Sequence, residues 1–446
     1  MKKVCLILTV CCFSIFISCE NINTGIYVPD NEFDDDCDNI ETNDDEKDDL
    51  SLVWTKFAGS ESVELVFSAT VDTSGSIYVV GSTQGSLEGN VLSGSEDAFL
   101  MKFSSDGNTE WIRQWGTTEI DNARAVTVDI DDNIVVAGKM ASEIEGEITY
   151  GYWDGFVSKF SSNGEIVWTE SFGLEAYEVS PRAIVSDEFG NIFISGIVFG
   201  TFENNKSFGN YDVFAAKFTR DGALSWVKQW GTDQSDSGIM AIDLDGDGNL
   251  FIAGSTEGVV GEGENNGGVD IFLTKMNKNG KIAWTQQFGT TLHDSVTNMR
   301  IDNNGNIYIT GFTLKTADNG NLEEENLLLK FNKNGILEWQ KLWGNGFAFS
   351  VEILGDSEIL VGGAGTGYED SELSQGTVTT GMAYLAKFNE NGKKLFTKQF
   401  GGTDSYVISV MEDKKGDIIS AGHSCESFDD VLANQIDVFI TKWNRD

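Results

Sequence analysis

Residues Asp154 to Gly173 read DGFVSKFSSNGEIVWTESFG. An apolar strand opens on an aspartate, reaches Asn163-Gly164, and is followed by a second strand that closes on Trp168, Phe172 and Gly173. Asn-Gly between two such runs is a hairpin signal. The stretch is one copy of a pattern that recurs along almost the whole chain. A repeat architecture therefore has to be settled before any active site is sought.

Working outward, the Trp-x-x-x-aromatic strand recurs as Trp111/Trp115, Trp168/Phe172, Trp226/Trp230, Trp284/Phe288 and Trp339/Trp343. Trp54/Phe57 is one residue shorter and Phe396/Phe400 is a weaker copy. The first aromatics are 57, 57, 58, 58, 55 and 57 residues apart. A strand of type Asp-x-Phe-x-x-Lys-Phe starts at Asp97, Asp154, Asp212, Asp270, Asn326, Ala383 and Asp437. Between them lie hairpins such as AVTVDIDDNIVVAG, Ala125 to Gly138, with Val- and Ile-rich arms joined by Asn, Asp and Gly.

Each period thus holds four short antiparallel strands, here a, b, c and d. Seven such periods predict an all-β, seven-bladed β-propeller of four-stranded antiparallel blades. The chain starts with a lone d strand near Trp54 and ends with a lone c strand from Asp437. The N-terminal strand is expected to complete the last blade, which removes an open sheet edge.

The motif Asp-x-x-Gly-Asn-Ile-Tyr-x-x-Gly, followed by Asp-x-Phe-x-x-Lys-Phe, resembles the SBBP-type β-propeller repeat, with broader similarity to NHL-like propellers. The resemblance covers residues 51 to 446. The copy from Gly344 departs most, with Asp356-Ser357-Glu358 in place of the Gly-Asn turn. The resemblance implies a secreted or cell-surface protein and brings no single activity and no catalytic motif.

Composition agrees with many short strands and tight turns: 50 glycines and two prolines in 446 residues. The first 18 residues form a targeting segment, with Lys2-Lys3, an apolar run from Val4 to Ile17, and Ser18 before Cys19. It resembles a bacterial lipoprotein signal, which makes Cys19 the lipidated residue and places the chain on the cell envelope, at the outer membrane or cell surface. An ordinary secretory signal is the other reading. Residues 19–50 are an acidic tether, too poor in apolar side chains to fold. The propeller is assigned to 51–446. Cys37 and Cys425 could bridge or remain thiols.

Net charge is −41. Such a surface repels phosphate backbones, so nucleic acid is excluded as an expected partner, and cations or basic ligands are favoured. A monomer is expected.

The c–d turns (Asp106-Gly107, Asn163-Gly164, Asp221-Gly222, Asn279-Gly280, Asn334-Gly335, Asn391-Gly392) fit tight type I′ hairpins. The b–c loops, such as Ser82 to Glu96 and Ala364 to Met382, are long and differ in sequence. The face made by d–a and b–c loops is therefore the candidate binding face. A repeated carboxylate enters strand a there: Glu64, Asp121, Glu178, Asp236 and Asp294, with Asp404 as a shorter-spaced counterpart and Phe349 breaking the series. These groups, with His293, either present an electronegative ring to a ligand or accept backbone N–H bonds in their own turns.

Asp243, Asp245, Asp247 and Asn249 form the best metal candidate, an oxygen-rich loop that could hold a structural calcium ion or be a plain acidic turn. No other cofactor is expected. Only His293 and His423 exist, in different repeats, so metal or nucleophile constellations built on histidine are poorly supported. Regular recurrence assigns the strand-d tryptophans to packing. The expected function is a non-enzymatic, lipid-anchored module that binds a protein or glycan. A hydrolase or lyase using the channel-mouth carboxylates and a purely structural envelope protein are the alternatives.

Overall fold

The computed structural model describes residues 50–144, 147–173, 176–203, 205–261, 263–317, 319–355, 358–366, 381–426 and 436–445. Cys19, Cys37, the targeting segment and the tether up to residue 49 lie outside them.

Among the described residues every regular element is a β-strand. After β1 (Leu50–Ala58) comes a first set, β2 to β5 (Glu64–Val71, Ile77–Thr83, Asp97–Phe103, Thr109–Trp115). The next sets are β6 to β9 (Asn122–Val128, Ile134–Ile144, Glu147–Phe160, Ile166–Phe172) and β10 to β13 (Glu178–Ser186, Ile192–Phe199, Tyr211–Phe218, Leu224–Trp230). A fourth is β14 to β17 (Asp236–Leu244, Leu250–Thr256, Asp270–Met276, Ile282–Phe288).

β18 to β20 (Asp294–Ile301, Ile307–Thr316, Leu322–Phe331) lead into β21 (Leu337–Leu354). This strand pairs with β20 through its first half and β22 through its second, so it ends one set and begins another. β22 to β24 follow (Glu358–Thr366, Met382–Asn389, Lys394–Thr403), then β25 to β27 (Ser405–Glu412, Ile418–Ser424, Asp437–Arg445). Chain neighbours within each set pair antiparallel.

β1 joins the far end of the chain. It pairs antiparallel with β27 from Leu50↔Arg445 to Ala58↔Val438, giving the sheet order β1-β27-β26-β25. First strands lie side by side: β2 against β6, β6 against β10, β10 against β14, β14 against β18, β18 against β21, β21 against β25, and β25 against β2. Short parallel bridges at Glu96↔Ile120, Trp153↔Glu178 and Ile436↔Val63 tie a third strand to the approach of the next first strand.

Apolar clusters fill the gaps between sets. Val79, Phe99 and Met101 of the first set, for example, pack with Ile419, Val438 and Ile440 of the last. Second strands such as β3 and β15 are buried along their whole length, because a neighbouring set covers each face.

The outer strands are joined by one recurring contact. The Trp111 indole lies under the turn at Gly164, Trp168 under Gly222, Trp226 under Gly280, Trp284 under Gly335, Trp339 under Gly392, and Trp54 under Gly107. A Cβ on any of these glycines would sit 2.5–3.1 Å from an indole carbon of the adjacent set. The indole N–H adds a bond: Trp111 Nε1 donates to Ser162 O, Trp168 to Arg220 O, Trp226 to Lys278 O and Trp339 to Glu390 O, each at 3.3 Å.

These turns are not the type I′ hairpins expected from Asn-Gly and Asp-Gly. Asp106, Asn163 and their counterparts keep negative φ, and only the glycines are left-handed, at φ +74 to +91°. Gly164 N–H donates to Ser161 O, and Ser161 N–H to Glu165 O, which is a type I turn followed by a glycine bulge. That geometry leaves the second turn carbonyl, Ser162 O, outside the ladder and available to Trp111.

Gly248 gives the matching control. Its φ is +74°, yet nothing lies within 4 Å of an added Cβ. Gly248→Ala should cost about 1 kcal/mol for the left-handed backbone alone. Gly164→Ala should cost about 2–4 kcal/mol, because overpacking against Trp111 adds to the backbone term. Equal urea midpoints for the two variants would contradict the indole contact.

Candidate functional site

Four of the predicted carboxylates turn back into their own loops. Glu64 is fully buried and accepts Ser60 N–H (2.9 Å), Ser60 Oγ (2.7 Å) and Thr83 Oγ1 (2.7 Å). Asp121 accepts Thr117 N–H, Thr117 Oγ1 and Ala141 N–H. Asp236 takes Thr232 N–H and the Oγ1 of Thr232 and Thr256. Asp294 takes Thr290 N–H and Oγ1. Burial pushes the carboxyls of Asp121, Asp236 and Asp294 above the usual range, even against these hydrogen bonds. Their oxygens are committed to shaping the entry to strand a.

Glu178 and Asp404 do not belong to that ring. Glu64 faces Thr83, Asp236 faces Thr256 and Asp294 faces Thr313 across their ladders. The equivalent residue of β10 is Val179, two before Pro181, which pairs with Gly196. In β25 it is Ser405, opposite Ser424. Counting from the preceding glycine misplaces both, because those approaches differ in length, and a one-residue slip turns a side chain to the other face. Asp404 instead takes a left-handed backbone, φ +58°, and its carboxyl is raised by burial and by nearby Glu426.

His293 is half-buried beside Gly268, and its carbonyl accepts Leu314 N–H. Asp294 and Arg300 stand at opposite ends of β18, with Arg300 facing Glu352 at 3.5 Å. These three residues do not form a common pocket.

The metal candidate is also drawn apart. Asp243 accepts Ile301 N–H at 2.9 Å and is opposed by Arg300. Asp245 caps its own turn through Asp247 N–H and Asn249 N–H, and Lys275 sits 3.1 Å from it. Asp129 and Asp413 meet Lys159 and Lys442 in the same way. Among the described residues no three His, Cys, Asp or Glu side chains gather as a metal site. Cys425 is half-buried, and Cys37 lies outside the described residues.

The informative position follows the second-strand glycine. It is Ser82, Lys139, Ile197, Ser255, Phe312, Ala364 and His423 in the successive copies. This side chain faces the next set: Ser255 Oγ accepts Val296 N–H, and His423 Nδ1 accepts Val66 N–H at 3.3 Å. In β7 it is Lys139, whose Nζ is 2.8 Å from Glu178 and 4.4 Å from the Trp153 ring centroid.

Around that pair the repeat breaks down. Tyr211 Oη donates to Glu178 at 3.0 Å. Phe199 lies 5.5 Å from Tyr211 and 5.4 Å from Tyr177, ring to ring. Tyr177 is 53% exposed and Phe199 38%. Arg124 and Arg182 act on the same charges: burial first, then these two cations, pushes Lys139 down to about 8, against the pull of Glu178. Glu178 is brought below the usual range by Lys139 and Arg182, although burial alone would raise it. Tyr211 is pushed up to about 12 by burial and by Glu178. Sequence reasoning named Glu178 alone of this cluster, as a member of a symmetric ring. The other residues carry no motif, and their only signal was disagreement with the repeat.

The beta-propeller repeat model SBBP matches residues 283–314. That stretch is similar to an SBBP beta-propeller repeat. An uncharacterized WD repeat-containing protein of Acanthamoeba polyphaga mimivirus is 23% identical over 237 residues, 41% of this chain and 17% of that protein. Regulatory protein FlaEY of Caulobacter vibrioides is 22% identical over 316 residues, 60% of this chain and 32% of that protein. The chain therefore matches less than a third of the length of either relative. Among solved structures, polysaccharide lyase Uly1 superposes with a TM-score of 0.50 at 10% identity, covering 89% of this chain and all of that one, which is a likeness of fold.

His423 gives this propeller a pH signature. Burial alone pushes its imidazole down to about 4, so it stays a neutral acceptor for Val66 N–H. The unfolded chain takes up a proton near pH 6.5 and the folded one only near 4, so stability is complete above 6.5 and lost on acidification between the two. Relative to His423→Gln, the wild type should lose up to roughly 3 kcal/mol from pH 7 to 4 in urea titrations. Parallel pH profiles would contradict the buried acceptor.

Proposed function

We propose that the chain is a seven-bladed, closed propeller, tethered through residues 19–50 to a lipid on Cys19 at the bacterial cell envelope, and that it is a non-enzymatic binding module for a protein or glycan. Closure is supported by the β1–β27 pairing and by the contact of β25 with β2.

The observation that carries the binding reading is the cluster of Lys139, Trp153, Glu178, Tyr177, Phe199 and Tyr211. It interrupts the repeat on the face formed by d–a and b–c loops, where scaffold demands on side chains are weakest. Exposed aromatics ringing a buried ion pair are the composition of a recognition patch. Catalysis by the carboxylate ring finds little support, since Glu64, Asp121, Asp236 and Asp294 are engaged in their own turns.

The test is capture from envelope extract and on a glycan array with the full chain. Tyr177→Ala with Phe199→Ala should lower binding about tenfold or more, as hot-spot truncations do. Ile130→Ala, in an exposed a–b turn, should leave binding unchanged. Equal losses from both faces, or none from either, would overturn the assignment.

A further inference from the structure

The net charge of −41 is unevenly placed. Among the described residues, the d–a and b–c connections hold eleven Asp and Glu and one cation, Lys206. The a–b and c–d turns hold fifteen Asp and Glu and seven Lys and Arg. Third-strand lysines reach those turns as well. Lys159 meets Asp129 at 2.7 Å, Lys275 meets Asp245 at 3.1 Å, and Lys442 meets Asp413 at 3.0 Å. The repeat therefore neutralises much of its turn face and leaves the loop face anionic, and such a field selects partners by charge.

On the loop face, acidic and apolar side chains adjoin between β11 and β16. The b–c loop of residues 200–210 joins Phe199 to Tyr211 and carries Phe208, which is 43% exposed. At Gly209 this loop packs directly against the backbone of Thr232 to Gln234, which presents the exposed Asp233. Glu257 N–H donates to Ser235 O at 3.0 Å, and Asn265 Nδ2 donates to Glu257 O at 2.7 Å. The next b–c loop thus lies alongside, with Glu257, Val259 and Glu264 exposed. Asp233, Glu257 and Glu264 make no ion pair among the described residues. Lys206 lies 5.1 Å from the Phe208 ring centroid and leaves the acidic groups in excess.

Apolar anchors inside an anionic rim suit lysine and arginine, whose stems cover apolar surface while their heads reach carboxylates. Other occupants fit poorly. A second copy of this face would bring the same charge, and residues 1–49 carry thirteen Asp and Glu against three lysines. Nucleic acid or an acidic glycan would be repelled.

Resting on the binding face argued above, we propose that this surface docks a basic, amphipathic segment of another protein. Phe208 and Val259 meet its apolar side chains, and Asp233, Glu257 and Glu264 meet its lysines or arginines.

Fluorescence anisotropy of the full chain with two labelled peptides of one length, a Lys-Leu repeat and a Glu-Leu repeat, tests this. The Lys-Leu peptide should bind, more weakly as salt rises, and the Glu-Leu peptide about tenfold more weakly or worse. Asp233→Asn with Glu257→Gln and Glu264→Gln should weaken the basic peptide about tenfold. Phe208→Ala with Val259→Ala should do the same. Asp106→Asn with Glu165→Gln and Asp221→Asn, on the opposite face, should change it less than about twofold. Matching thermal melts establish that the effects are local. Equal affinity for both peptides, or equal losses from the two faces, overturns the proposal. Calcium binding that the Asp233, Glu257 and Glu264 variant removes, without peptide binding, makes this a cation surface and also overturns it. If the peptide fails while capture still depends on Tyr177 and Phe199, the basic partner falls and the binding face stands. If that capture fails too, both fall.

Discussion

The outer strands depend on one contact: the indole of one set seated under the left-handed glycine of the next. It requires a residue without Cβ, a type I turn that frees a carbonyl, and a tryptophan one strand away in the adjacent set. Asp154–Gly173 contains both halves, since Gly164 receives Trp111 and Trp168 is received by Gly222. The repeat period is the distance along the chain from one half of this contact to its next occurrence. Apolar burial between sets supplies most of the driving force, and the indole contact fixes how the sets are aligned.

Polar groups follow the same economy of repetition. Asp72, Asp129, Asp187, Asp245, Asp302 and Asp413 each accept N–H bonds from the turn they open. Gln114, Gln229 and Gln287 each donate to a loop carbonyl and to the aspartate that starts the third strand. The Asp-x-Phe-x-x-Lys-Phe signature thus supplies tethers, with Asp97, Asp212 and Asp270 held by glutamine and Lys159, Lys275 and Lys442 paired with the aspartate of an a–b turn. Buried polar atoms that bond within the scaffold leave nothing for a ligand.

Strand order, period and the meeting of the chain ends were legible in the sequence because spacing and turn residues encode them directly. Two finer points were not. Asn-Gly suits both a type I′ turn and a type I turn with a glycine bulge, and the indole of a neighbouring set selects the second. Glu178 looked like one of a ring because residue counting cannot register a one-position slip. Its true partners, Lys139 and Tyr211, are 39 and 33 residues away and share no motif with it. A site built where copies differ is invisible to a method that finds copies.

If the indole contacts and the β1–β27 pairing make a closed ring, no set can open by itself. Hydrogen exchange on Trp168→Ala, measured over the whole chain, tests this most directly. Removing one indole should lower protection everywhere, including β1 and β25 to β27, far from the substitution, by about 3–5 kcal/mol. Loss of protection confined to β6 to β13 would contradict the account, and would describe an array of independently stable sets instead.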